Sequence, residues 1–182
     1  MNGIHTDYPV GALSILLDRG CLTERYWPLI PYRDALLERL TLLGCRTKND
    51  AAALSNDALR GIGLPDAGTV LLLRRFFALY DPAPAKFREI EKVTDDPALR
   101  ASFRELYHLP GVRAVRAELY CRAGYGTLRK VADAVPEEVI TRTERVIRSG
   151  QMPCAVPLPK EVRTHIAVAR AFLWDAAAET AP

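Results

Sequence analysis

The residue types that most often carry catalysis or bind metals are scattered along this chain of 182 residues. The histidines stand at His5, His108 and His165, and no H-x3-H or H-E-x-x-H spacing places two of them on one helix face. The four cysteines include no C-x-x-C pair. The sequence therefore predicts no metal site and no cofactor.

Two pairs of residues in the sequence are of types that can act together in catalysis, but neither pair is expected to bring its side chains together. Cys121 and His108 would form a thiol–imidazole pair, but they lie at opposite ends of a predicted helical hairpin. Glu137 and Glu138 are adjacent, so a helix points them in different directions, and as first-turn acids they suit the helix dipole. No strand is predicted ahead of a glycine-rich loop, which removes dinucleotide and P-loop binding. We predict a protein that is not an enzyme, and an enzyme of unknown type is the weakest alternative.

The composition favours an all-α protein. Hydrophobic residues make up 49% of the chain and charged residues 26%, an ordinary balance for a domain with a sizeable core. Ala, Leu, Arg and Glu are abundant, and strand-like runs of Val, Ile and Thr are missing. No apolar run approaches the ~18 residues of a membrane span, and no signal peptide is recognisable. We expect a cytoplasmic protein with reduced thiols and no membrane partner.

Positive charge is concentrated in one stretch of the chain. The net charge of +3 is small, but residues 113–130 hold five basic side chains against one acidic side chain, Glu118. Such a local excess is either a solvated face or the electrostatic footprint of a nucleic-acid-binding surface.

Two G-x-x-T tetrapeptides, Gly44–Thr47 and Gly124–Thr127, predict tight corners between helices. Glycine takes a positive φ freely and so ends a helix, and a threonine hydroxyl can accept a hydrogen bond from the first turn of the next helix. A third copy at 20–23 is weaker, because Pro28 follows it closely.

The similarity of the two corners extends along the chain at an offset of 80 residues, which predicts an internal repeat. The aligned pairs beyond the corners are Ala52 with Ala132, Asp57 with Glu137, and Leu59 with Val139. The proline-rich segment 81–85 would separate an N-terminal half, 1–82, from a C-terminal half, 86–182, whether the halves pack separately or as one unit.

The remaining segments follow from periodicity and from proline. YWPLIP at 26–31 is expected to be irregular, and 149–159 is expected to be extended. Helices are predicted at 10–20, 32–44 and 160–178, with two short helices in 86–107 that are split near Asp95–Pro97.

Two segments share the frame G-h-x-x-x-x-A, where h is apolar: GIGLPDA at 61–67 and GVRAVRA at 111–117. The first glycine permits a tight turn between two helices, the apolar residue fills the space between them, and the alanine lets them approach closely. Backbone N–H groups at the start of the second helix can hold a phosphate. The positions expected to be buried are Ile62, Ala67, Val112 and Ala117.

The stretch LYHLPGVRAVRAELYCRAGYGTLRKVADAVPEEV at 106–139, followed by VPLPKEVRTHIAVARAF at 156–172, resembles a bacterial family of unknown function built from tandem helix-hairpin-helix-like repeats. The resemblance covers about residues 33–175 and is strongest after residue 100. It implies an all-α fold of two helix-hairpin-helix-like, or SAM-domain-like, repeats with a closing amphipathic helix. Such a fold is related to modules that bind DNA, and the family brings no established activity.

The leading hypothesis is therefore weak, sequence-independent DNA binding without catalysis, with no small-molecule substrate. A protein–protein adaptor is the alternative, because the same scaffold also serves as an interaction domain. The residues expected to bind nucleic acid are Gly61, Gly63, Gly111, Val112, Arg113, Arg116, Arg122, Arg129 and Lys130.

Both hairpins depart from the family pattern. Arg113 stands where a second glycine is usual, and Asp66 lies beside the first hairpin, where it would repel phosphate. The two hypotheses differ in salt dependence, because phosphate binding weakens steeply with salt and an apolar interface does not.

Overall fold

The computed structural model of the protein describes residues 7–18, 24–79 and 88–178. These residues are mostly helical and hold no β-strand, which confirms the all-α prediction. The predicted corner at 20–23 and the predicted break at 81–85 lie outside the described residues. The chain divides into two compact units, one formed by His5–Asp81 and one that contains Pro82–Pro182.

The described part of the first unit contains five α-helices and one 3-10 helix. They are α1 (Val10–Asp18), the 3-10 helix (Glu24–Tyr32), α2 (Arg33–Leu42), α3 (Lys48–Ala53), α4 (Asn56–Arg60) and α5 (Ala67–Leu79). The 3-10 helix replaces the irregular segment that was expected, and it contains both Pro28 and Pro31. The φ angle that proline imposes, near −65°, also fits a 3-10 turn, so these prolines exclude an α-helix without excluding helical turns.

The described part of the second unit contains six α-helices. They are α6 (Ile90–Val93), α7 (Pro97–Leu106), α8 (Ala114–Arg122), α9 (Leu128–Ala132), α10 (Pro136–Arg148) and α11 (Pro159–Ala178). The predicted split near Asp95–Pro97 is confirmed. The Asp96 carboxylate accepts the N–H of Ala98 at 2.8 Å, and Pro97 occupies the first helical position, so this stretch starts a helix and cannot continue the previous one.

The core of the first unit lies between α1, the 3-10 helix and α5. α1 packs on α2, α3 and the 3-10 helix, and α5 packs on α3, α4 and the 3-10 helix. Leu36 and Leu40 of the predicted α2 stripe are buried, whereas Leu43 is 37% exposed because it lies beyond the last helical turn. The largest fully buried side chains of this unit are Phe76, Phe77, Leu13, Leu16, Leu17, Leu29, Leu40, Leu59 and Leu73.

The closing helix α11 organises the core of the second unit. It packs on α9 and α10, while α8 packs on α7 and α10. Val162, Ile166 and Ala169 are buried on its inner face. The aromatic side chains of Phe103, Tyr107 and Tyr120 are also fully buried. The second hairpin is therefore held on a rigid support.

The predicted corner at Gly44 is present. Gly44 has a φ of +74°, and two backbone hydrogen bonds close the end of α2. The Cys45 N–H donates to the Leu40 carbonyl at 2.9 Å, and the Gly44 N–H donates to the Thr41 carbonyl at 3.0 Å. This pair of bonds is a Schellman motif, which satisfies carbonyl groups that the helix leaves free.

The next helix, α3, begins at the corner with a reciprocal cap. The Thr47 hydroxyl oxygen accepts the Asp50 N–H at 3.3 Å, and the Asp50 carboxylate accepts the Thr47 N–H at 2.9 Å. These two bonds form a capping box. They lower the pKa of Asp50, chiefly through the backbone hydrogen bonds from Thr47 and Arg46.

The corner at Gly124 repeats the first one at an offset of 80 residues. Gly124 has a φ of +94°, the Tyr125 N–H donates to the Tyr120 carbonyl at 2.7 Å, and the Gly124 N–H donates to the Cys121 carbonyl at 3.0 Å. The Thr127 hydroxyl oxygen accepts the N–H three residues ahead at 3.2 Å and caps α9. The two corners thus share their backbone hydrogen bonds, as an internal repeat at this offset requires.

Candidate nucleic-acid interface

The second hairpin segment turns at Gly111, and its two positions that were expected to be buried are buried. Gly111 has a φ of +74° and turns the chain between α7 and α8, which pack on each other. Val112 and Ala117 are fully buried, and the Val112 N–H donates to the Leu109 carbonyl at 3.2 Å. Val112 therefore supports the turn from within the core and cannot contact a ligand, although it was among the residues expected to bind.

A buried hydrogen-bonded chain holds this turn in place. His165 is 1% exposed, its Nε2 lies 2.9 Å from the Pro110 carbonyl oxygen, and its Nδ1 lies 2.7 Å from the Tyr120 hydroxyl. A carbonyl can only accept, so Nε2 carries the proton and Nδ1 accepts from Tyr120. Burial lowers the pKa of His165, and burial also raises the pKa of Tyr120. The neutral pair therefore links α8, α11 and the residue before Gly111.

Arg113 lies at the surface of the hairpin. It occupies the N-cap position of α8, where its side chain makes no capping hydrogen bond. Its guanidinium donates to the Glu89 carboxylate at 3.0 Å, and the two side chains are 61% and 54% exposed. A pair this exposed contributes only about 0–1 kcal/mol, so a phosphate can displace Glu89 at little cost.

Arg116 is a structural residue, which corrects the prediction that it contacts phosphate from the surface. Its Nε lies 2.9 Å from the Glu161 carboxylate, and its Nη1 donates to the Ala155 carbonyl at 3.0 Å. The two side chains of the ion pair are only 21% and 30% exposed. Arg116 ties α8 to the start of α11 and to the segment before it.

The three remaining cations of the stretch are all exposed. Arg122 donates to Glu118 one turn earlier at 2.6 and 2.9 Å. Arg129 and Lys130 make no side-chain ion pair or hydrogen bond within the described ranges. The amide groups that begin α9 are already occupied, since the Glu105 carboxylate accepts the Leu128 N–H at 2.8 Å. Only the side chains of Arg129 and Lys130 are therefore free to meet a phosphate here.

The first hairpin differs from the second. Ile62 is buried as predicted, but Ala67 is exposed, so the prediction that Ala67 lets two helices approach closely is wrong. Gly61 has a φ of −58° and ends α4, while the positive φ of +85° falls on Gly63. The left-handed residue is therefore the third residue of the G-h-x-x-x-x-A segment in the first hairpin and the first residue of that segment in the second. The two turns consequently have different backbone conformations.

Asp66 occupies the helix start that a phosphate would need in the first hairpin. Its carboxylate accepts the N–H of Thr69 at 2.8 Å and the Thr69 hydroxyl at 3.2 Å. The backbone bond from Thr69 is the main cause of the lowered pKa of Asp66. An internal anion therefore already fills the place expected for phosphate near Gly61 and Gly63, which disfavours binding there.

The other candidate chemistry does not assemble. Cys121 is half-buried and hydrogen-bonds Ser102, and burial raises the pKa of its thiol. The His108 Nδ1 lies 3.1 Å from the Glu105 carbonyl, and its ring stacks edge-on against Phe172. Among the described residues, no group of three or more His, Cys, Asp or Glu side chains could hold a metal ion. None of the helices in the described ranges is both long and apolar enough to cross a bilayer.

The contacts that the sequence did not predict connect α8 with α11. Arg116 meets Glu161 and Tyr120 meets His165, and each pair is separated by 45 residues. Because the two pairs are four residues apart on each helix, one turn of α8 lies beside one turn of α11 and the two helices run in the same direction there.

The chain matches no protein-family model, no curated protein and no solved structure.

Proposed function

We propose that the protein is a non-enzymatic binding module of the helix-hairpin-helix type that holds the phosphate backbone of nucleic acid, DNA in the first instance, without reading its sequence. The observation that carries the proposal is the state of the cations around the second hairpin. Arg113 is engaged only in an exposed ion pair, and Arg129 and Lys130 have no acidic partner in the described part of the chain. These three side chains can exchange water or a weak partner for phosphate.

The backbone of the hairpin supports the same proposal. The positive φ of Gly111 and the buried Val112 fix the direction of α8, so Arg113 projects from a rigid turn. The start of α8 carries no side-chain cap and no carboxylate of its own, in contrast to α5, whose start is occupied by Asp66. The helix dipole at this end favours an anion.

The test is a salt titration of binding to duplex and single-stranded DNA with the full chain. The logarithm of affinity should fall linearly with the logarithm of salt concentration, and removal of one protein–phosphate contact should reduce the slope by about 0.9 on duplex DNA. We expect Arg113→Ala to reduce the slope by the equivalent of about one phosphate, and the double change Arg129→Ala, Lys130→Ala to reduce it by about two.

Arg148→Ala is the matched control, because Arg148 is exposed and paired with Glu144 at 2.7 Å, as Arg113 is paired with Glu89. Equal slopes for this control and for the hairpin variants would contradict the proposal, as would the absence of any salt-sensitive binding at micromolar protein.

The second candidate function is a protein–protein adaptor, and the exposed apolar side chains of the second unit favour it. Val115 is 57% exposed on α8, two residues after Arg113, and Leu158 is 68% exposed at the start of α11. An adaptor that used them would bind its partner with little dependence on salt, and Val115→Ser would weaken that binding without changing the charge beside Arg113.

A further inference from the structure

A charged cleft of about 570 Å³ lies between the end of α8 and the outer face of α10. Its walls carry three arginines and two glutamates, together with a threonine, an alanine and a valine. The charged residues are Arg122, Arg142, Arg145, Glu137 and Glu138. The volume is within the ~300–1,000 Å³ that small-molecule sites usually occupy.

Alignment of the two corners at an offset of 80 residues identifies the cleft arginines that have no counterpart in the first unit. In the 80-residue register, α4 corresponds to the first five residues of α10, and α10 then continues for a further eight residues. Arg142 and Arg145 belong to this added part. Arg122 at the end of α8 aligns with Leu42, an exposed leucine at the end of α2. The first unit forms a corner with matching backbone hydrogen bonds without these three guanidinium groups.

The central cation of the cleft, Arg142, lies over an aromatic ring, with its side chain 53% exposed. The Arg142 guanidinium lies over the ring of Tyr125, 5.6 Å from its centroid, and Tyr125 is 6% exposed. A Cβ atom at Gly124 would lie 3.7 Å from the Arg142 Nη1, so the guanidinium lies across the corner itself. Its nearest carboxylate, that of Glu138, is 3.7 Å away, too far for a hydrogen bond between the two. A cation stacked on a buried ring loses little further freedom when it binds an anion.

The other charged groups of the cleft define what a ligand must offer. Arg145 makes no ion pair within the described residues and adds a second guanidinium beside Arg142 on α10. Two such forks match the oxygens of a phosphate group. The Glu137 carboxylate, which likewise has no cationic partner in the described ranges, can only accept hydrogen bonds at neutral pH. Glu137, and Glu138 beside Arg142, would repel a bare phosphate, whereas a hydroxyl or amino group would bind to Glu137.

We infer that this cleft binds a small phosphate monoester whose remaining part carries hydroxyl or amino groups, with the phosphate on Arg142 and Arg145 and a donor group on Glu137. The site is separate from the proposed nucleic-acid contacts at Arg113, Arg129 and Lys130.

The experiment is a calorimetric titration of the full chain with ribose 5-phosphate, inorganic phosphate and ribose at one fixed ionic strength. Ribose 5-phosphate should bind at least about threefold more tightly than inorganic phosphate, and ribose should not bind detectably. Arg145→Ala should weaken ribose 5-phosphate binding at least about tenfold, and Arg145→Lys should be intermediate because it keeps the charge and loses the fork. Glu137→Gln should reduce the preference over inorganic phosphate.

Arg148→Ala is again the matched control, since it removes one exposed arginine from the same helix outside the cleft, and it should change the affinity by less than about twofold. The proposal is overturned if Arg145→Ala and Arg148→Ala weaken binding equally, if inorganic phosphate binds as tightly as ribose 5-phosphate, or if no binding occurs at millimolar ligand. Arg145→Ala should leave the DNA salt slope unchanged, so failure of this site and failure of the nucleic-acid proposal are distinguishable.

Discussion

Arg170 in α11 donates its Nε–H to the backbone carbonyl oxygen of Ala132 at 2.8 Å. A similar hydrogen bond is present in the first unit, where the Arg74 Nη1 in α5 donates to the Ala52 carbonyl at 3.0 Å. Ala52 and Ala132 are aligned in the 80-residue repeat, and each carbonyl belongs to the end of the short helix that follows a corner, where no intrahelical N–H is available. The two hydrogen bonds are alike, although the two arginines are 96 positions apart and fall out of the 80-residue register.

Removal of these arginines should destabilise the two units by different amounts. Arg74 also donates to Asn56 at 2.8 Å and to the Leu54 carbonyl at 2.6 Å, so Arg74→Ala should cost about 2 kcal/mol in the free energy of unfolding. Arg170→Ala, which removes the hydrogen bond to Ala132, should cost about 1 kcal/mol. Urea unfolding monitored by circular dichroism measures both.

Arg163→Ala is the control for Arg170→Ala, because Arg163 is exposed on α11 and makes no ion pair in the described part of the chain. It should change the free energy of unfolding by less than about 0.5 kcal/mol. An Arg170→Ala variant as stable as this control would mean that the bond to Ala132 does not hold α11 in place.

The corners were predictable because their signals are local. A glycine that ends one helix and a threonine that begins the next are three residues apart, and their hydrogen bonds join neighbours in the chain. The similar hydrogen bonds that Arg74 of α5 and Arg170 of α11 make were not predictable in the same way. Arg74 and Arg170 bond to residues 22 and 38 positions away in the chain. The separations differ because the segment between the corner and the arginine is longer in the second unit, where α10 is longer than α4. The G-h-x-x-x-x-A frame at 61–67 and 111–117 likewise did not determine the turn, since the left-handed glycine is Gly63 in one segment and Gly111 in the other.

The corner at Gly124 should tolerate asparagine far better than a β-branched residue. Its φ of +94° lies in the left-handed region, which strains valine and is accessible to asparagine. Gly124→Val should lower the free energy of unfolding by about 1–2 kcal/mol or more, and Gly124→Asn should cost less than about 1 kcal/mol. Thermal and urea unfolding of the two variants side by side gives the difference. Equal stabilities would contradict the corner, because a Cβ atom at Gly124 meets only the Arg142 Nη1, at an ordinary contact distance of 3.7 Å, so backbone strain is the main difference expected between the variants.

Substitution of Arg116 should lower the stability of the fold, whereas substitution of Arg113 should affect binding and leave the stability nearly unchanged. Arg116→Ala removes the cationic partner of the half-buried Glu161 carboxylate, which keeps only the Leu158 N–H, and the side-chain donor to the Ala155 carbonyl, so it should cost about 2 kcal/mol. Arg113→Ala removes only an exposed pair and should cost less than about 1 kcal/mol. Chemical denaturation of the two single variants tests this. If Arg116→Ala leaves the free energy of unfolding unchanged, Arg116 is not a structural residue and its guanidinium is free to bind phosphate.

The candidate site was predictable in its residue types and not in their partners. The excess of basic residues in 113–130 is visible in the sequence, and so is the Glu118–Arg122 pair, since the two residues are four apart on one helix. Glu89 and Glu161 lie 24 and 45 residues from the arginines that they neutralise. Only the packing of α8 against its neighbours decides which cation is half-buried and which remains at the surface.

Acid should destabilise the protein through His165 in a pH range that carboxylates do not share. The folded state lowers the pKa of this imidazole, chiefly through burial, against hydrogen bonding by Pro110 and the charge of Glu161, which raise it. The unfolded chain therefore binds a proton near pH 6.5 that the folded chain rejects. The stability present above pH 6.5 is then lost as the pH falls below that value, by up to about 1.4 kcal/mol per pH unit. Asp50 and Asp66 have lowered pKa values and lose their contributions only near pH 4 and below.

The variant His165→Gln isolates this effect. Its amide can accept from the Tyr120 hydroxyl and donate to the Pro110 carbonyl as the imidazole does, but it has no proton to gain. We expect His165→Gln to be less stable than the parent by about 1 kcal/mol at pH 7.5 and to lose the steep decline between pH 6.5 and 5. Urea unfolding at half-unit pH steps measures both slopes. If the variant declines as steeply as the parent, the acid sensitivity belongs to another group and the His165–Tyr120 pair does not control it.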